Sequence, residues 1–102
     1  MNRIVSESST AAVAERLILT REALGYKPSQ LSRITGLSPS ALSNYESGSI
    51  LISVRSANLY RAKFGVTLDW IYHGDLRALP HDFVVRLQGQ GRVKTPQRRK
   101  RA

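Results

Sequence analysis

Apolar residues recur along this chain at helical spacing, in short runs that each end at a glycine. In TAAVAERLILTREALG, Val13, Leu17 and Leu24 keep the helical period, Thr10 is a candidate N-cap, and Gly25 closes the run. The next segment, KPSQLSRITG, has Pro28 where a first helical residue belongs and stops at Gly36. Ser38 then caps a helix from Pro39 to about Ser47, halted by Gly48. Past the loop SILI, Ser53 caps VRSANLYRAKF before Gly65, and Thr67 caps LDWIYH before Gly74. A last short helix starts near Pro80 and runs through HDFVVRLQ, with Phe83, Val84 and Leu87 sharing a face. No useful length of strand-like alternation appears, so the pattern predicts an all-α fold of five to six short helices.

Charge divides the chain unevenly. Of its 102 residues, 1–88 hold ten Lys and Arg against seven Asp and Glu, a net of +3. Residues 89–102, GQGRVKTPQRRKRA, add Arg92, Lys94, Arg98, Arg99, Lys100 and Arg101 with no acid, bringing the total to +9. Three parts are expected: a flexible N-terminus over 1–9, a folded domain over 10–88, and a disordered basic tail over 89–102. A clustered polycation points to a polyanion, and to non-specific DNA attraction in particular, with a solubilising segment as the plain alternative. The absence of cysteine excludes disulfides, thiolate zinc sites and a cysteine nucleophile. No apolar run approaches the ~18 residues of a membrane span, and no secretory leader is recognisable. A cytoplasmic protein is the expectation.

The join between the second and third helices, TGLS, is a tight turn, and two short helices so connected outline a helix-turn-helix. Leu31, Leu37 and Leu42 stand where side chains would bury those helices against each other and against the first. The segment from Arg16 to Asp75, including REALGYKPSQLSRITGLSPSALSNYESG and GVTLDWIYHGD, resembles the Cro/repressor (Xre-type) helix-turn-helix family. That resemblance implies a compact lambda-repressor-like domain and a regulator that binds double-stranded DNA as a homodimer. It implies an ion pair between Arg21 and Glu46, whose loss would cost ~3–5 kcal/mol if the pair is buried. It also assigns Trp70 to the core rather than to base stacking.

By the same resemblance, the base-facing positions of the third helix are Pro39, Ser40, Ser43 and Asn44. The major groove, about 12 Å wide, admits a helix whose side chains are short, and the Asn44 amide could pair bidentately with adenine. Phosphate contacts fall on Lys27, Pro28, Ser38, Ser47, Ser49 and Arg55, several of them at helix N-termini. Two departures from the family stand out. Proline replaces the customary glutamine at the first position of both motif helices, at 28 and 39. The loop after Gly48 carries Ile50, Leu51 and Ile52 in place of basic residues, which suggests a dimer contact or a staple onto the domain. The final helix is a second interface candidate.

A rival reading keeps the fold but makes it a protein-interaction or antitoxin-like module with weak DNA binding and an unknown protein partner. An enzyme is not expected. His73 and His81 stand apart, with no paired carboxylates or phosphate cradle nearby, and no cofactor or metal is implied.

Overall fold

The computed structural model describes residues 9–89. Among these, six helices follow in order: α1 (Thr10–Leu24), α2 (Pro28–Thr35), α3 (Pro39–Ser47), α4 (Val54–Phe64), α5 (Leu68–His73) and α6 (His81–Gln88). The described residues contain no strand. Residues 1–8 and the six cations of the basic tail lie outside them.

Side-chain oxygens and glycines punctuate the helices. Ser38 Oγ accepts the Ala41 N–H at 3.0 Å, Ser53 Oγ that of Ser56 at 3.1 Å, and Thr67 Oγ1 that of Trp70 at 3.0 Å. At α1 the cap is Ser9 rather than Thr10. Ser9 Oγ reaches the Ala12 N–H at 3.1 Å, which makes Thr10 the first helical residue. Every helix but the last ends on a glycine with φ between 74° and 84°, a left-handed conformation that opposes a side chain.

The core forms around α1, which packs against α3, α5 and α6. Val13, Leu17 and Leu19 from α1 meet Leu31, Leu42, Ala57, Tyr60, Trp70, Ile71, Phe83 and Leu87 in one cluster. Phe83 and Leu87 are therefore core residues, and α6 cannot offer them as an interface. Its exposed apolar residue is Val85.

A buried polar chain locks α1 to α5. Trp70 Nε1 donates to Thr20 Oγ1 at 2.9 Å, and Thr20 Oγ1 donates to the Arg16 carbonyl at 2.7 Å. The Arg16 Nε in turn donates to the Ile71 carbonyl at 2.9 Å. Each buried group is thereby satisfied where an orphan would cost ~1–3 kcal/mol. Tyr60 is the exception, since its buried hydroxyl has no hydrogen-bond partner among the described residues. Burial, with Glu46 nearby, pushes its ionisation well above the usual phenol range. At the surface, Arg77 bonds Asp75 at 2.8 Å and holds its carboxyl at about 2.

Candidate nucleic-acid interface

Helix α3 owes its position to three attachments. Its inner face buries Leu42 in the core and packs Tyr45 against it, with the Tyr45 hydroxyl 3.1 Å from Ser56 Oγ on α4. The turn from α2 is pinned by Ser32 Oγ, which donates to the Leu37 carbonyl at 2.6 Å. Thr35 Oγ1 accepts the Leu37 N–H at 3.2 Å and donates to the Leu31 carbonyl at 2.8 Å. At the far end, Arg21 Nε of α1 faces both oxygens of Glu46, at 3.2 and 3.0 Å.

The same guanidinium donates through Nη1 to the Tyr26 carbonyl at 3.2 Å, so it holds α1, the α1–α2 loop and α3 together. Its side chain is 16 % exposed and that of Glu46 is 13 % exposed. The pair is thus mostly, not fully, withdrawn from water. The charge of Glu46 is spent on holding the helix.

These attachments leave an outward face built from short side chains. Pro39, Ser40, Ser43 and Ser47 are exposed on α3, while Asn44 is half-buried. The Asn44 carbonyl closes the helix, accepting from the N–H groups of Ser49 at 3.1 Å and Ile50 at 3.3 Å. Its side-chain amide makes no hydrogen bond among the described residues, which leaves two donors and an acceptor available to a ligand. Ser47 and Ser49 place their hydroxyls 2.8 Å apart just beyond.

Lys27, Pro28 and Ser38 are exposed at the N-terminal ends of α2 and α3, where the helix dipole favours anions. Gln30 folds back so that its Oε1 accepts the Lys27 N–H at 2.8 Å, which fixes the start of α2. Arg55 is exposed on the first turn of α4. Ser29 also belongs to this surface, although no sequence motif singles it out. It lines a cleft of about 530 Å³ between the start of α2 and α3, together with Pro28, Pro39, Leu42 and Ser43. Its one available signal is its place beside a proline at a helix start.

The three apolar residues after α3 separate. Ile52 is 2 % exposed in the core, and its carbonyl accepts the Tyr72 hydroxyl at 2.6 Å. It is the staple, and as a dimer contact it is excluded. Ile50 and Leu51 remain about half exposed, as does the nearby Val54, the most exposed large apolar residue among the described residues.

Two helices joined by a pinned tight turn, the second lying across the first helix with its polar face outward, define a helix-turn-helix DNA-binding domain. A family model for the helix-turn-helix matches residues 17–71, more than half of the chain. The chain belongs to this family, of the Xre/lambda-repressor type, and is a DNA-binding helix-turn-helix regulator. The family is one of regulators and is not typically enzymatic. No curated protein and no solved structure gives a significant match. Among the described residues, no helix is long and apolar enough to cross a membrane.

Proposed function

We propose that this regulator is a sequence-specific repressor that binds DNA as a two-fold dimer and inserts α3 into the major groove. The observation that carries the reading is the outward face of α3. Its side chains are short and neutral, exposed at Pro39, Ser40 and Ser43 and half-buried at Asn44, and the Arg21–Glu46 pair and the Ser32–Leu37 bond hold it in place. A helix of this kind approaches base edges closely, whereas long cationic side chains would keep it at phosphate distance. Asn44 is the principal base reader, with an adenine as its natural partner, and Pro39, Ser40 and Ser43 line the same edge. Lys27, Pro28, Ser38, Ser47, Ser49 and Arg55 flank it as phosphate contacts. The basic residues from Arg92 to Arg101 add attraction without sequence preference.

The exposed apolar patch of Ile50, Leu51 and Val54 supports a dimer, because palindromic half-sites are read by two-fold pairs. The same patch is what a protein-interaction or antitoxin-like module would use, and that is the second reading.

Selection from random duplexes by the full chain separates the two. The DNA reading predicts a pair of inverted half-sites, and Asn44→Ala should relax one base position by ~1–3 kcal/mol. A selection that returns no preferred sequence favours the interaction module.

A further inference from the structure

The loop between α3 and α4 carries no cation, and Arg55 is the one Lys or Arg between positions 34 and 60. It is exposed on the first turn of α4 and makes no ion pair among the described residues. Its worth as a phosphate contact depends on where that turn stands relative to α3, because one duplex must meet the guanidinium and the base-reading edge together.

Two tyrosine hydroxyls, from two other helices, fix the turn. On α3, the Tyr45 hydroxyl lies 3.1 Å from Ser56 Oγ. Ser53 Oγ donates to the same Ser56 Oγ at 3.1 Å and accepts the Ser56 N–H, also at 3.1 Å, as the cap of α4. This relay ties α3 to the residues on either side of Val54 and Arg55. On α5, the Tyr72 hydroxyl donates to the Ile52 carbonyl at 2.6 Å and pins the backbone one residue before the cap. Burial, then the nearby Tyr45, raises the Tyr72 ionisation above the ordinary phenol value, so this hydroxyl keeps its proton and stays a donor. Both rings already pack against the core, a task that phenylalanine would also perform. What the hydroxyls add is the hold on the start of α4.

We infer that Tyr45 and Tyr72 are positioning residues for DNA binding, whose hydroxyls set the first turn of α4 so that Arg55 meets a phosphate while α3 occupies the groove. This rests on the proposed reading of DNA by α3 and on the Arg55 contact. Neither tyrosine is itself a DNA contact, and each acts through Arg55.

The test uses the full chain, the duplex that selection returns and a scrambled duplex, with affinity measured against salt. Tyr45→Phe and Tyr72→Phe each remove one oxygen and keep the ring. Measurements are made where each variant is folded, so lost stability alone moves neither the salt slope nor the site preference. Arg55→Ala should flatten the slope of log K against log salt by ~0.9, the value of one phosphate contact. Each phenylalanine variant should flatten it by part of that amount, weaken both duplexes by the same factor and select the same site. In an Arg55→Ala background, removing either hydroxyl should change the slope no further, since the groups act as one unit.

Phenylalanine variants with the wild-type affinity and slope, beside an Arg55→Ala chain that does lose slope, overturn the inference and leave the Arg55 contact standing. A changed base preference in either variant also overturns it, because the hydroxyl would then act on α3. An Arg55→Ala chain that binds as wild type does overturns the contact and the inference together. Failure to find any preferred duplex overturns the reading by α3 as well.

Discussion

Replacing Glu46 by alanine tests how α3 is held. Arg21 would keep only its bond to the Tyr26 carbonyl, and its charge would stay in a site that is 16 % exposed. One-sided removal of a fully buried pair costs ~3–5 kcal/mol, and an exposed pair contributes ~0–1 kcal/mol. Both side chains here remain partly open to solvent, which lowers the figure to roughly 2–3 kcal/mol. In a domain of this size, each kcal/mol moves Tm by ~4–8 °C, so a fall of about 10–20 °C is expected. Urea unfolding followed by the fluorescence of the single tryptophan measures it directly. Arg21→Met/Glu46→Leu should recover much of the stability, because an apolar pair leaves no stranded charge. A Glu46→Ala chain with the wild-type midpoint and slope would refute the brace. So would a double variant no more stable than the single one.

Two further outcomes follow from the packing. Thr20→Val removes the acceptor for Trp70 Nε1 and should cost ~1–3 kcal/mol in urea unfolding; unchanged stability would mean that the α1–α5 lock contributes nothing. Leu51→Glu changes a half-exposed residue, so the fold should tolerate it while a dimer should dissociate. Sedimentation equilibrium that finds the same oligomeric state as wild type removes Leu51 from the interface.

Helix type and order are legible in the sequence because each element carries its own stop signal. Five glycines end five helices, and Ser or Thr oxygens begin four of them. The start of α1 shifts by one residue because Ser9 and Thr10 are both competent caps, and only the reach of Ser9 Oγ to Ala12 decides between them. The loop after Gly48 is harder. Ile50, Leu51 and Ile52 are chemically alike, and an irregular backbone has no period from which to assign a face. Ile52 is buried by a core assembled from distant segments, and its carbonyl is held by the hydroxyl of Tyr72, twenty residues on. Phe83 and Leu87 do keep a helical period, but a helix face does not announce whether it meets the core or a partner. Ser29 is invisible for the opposite reason, as its importance lies in a cleft formed only when α2 and α3 come together.

If α3 reads the bases, the polycation beyond residue 88 should strengthen binding without choosing the site. Repeating the duplex selection with residues 1–88, and titrating the winning duplex against salt, puts this to the sharpest test. The same half-site should emerge, and the slope of log K against log salt should become shallower by ~0.9 for each phosphate that the tail neutralises. A truncated chain that binds all duplexes equally, or none, would contradict the assignment of sequence preference to α3.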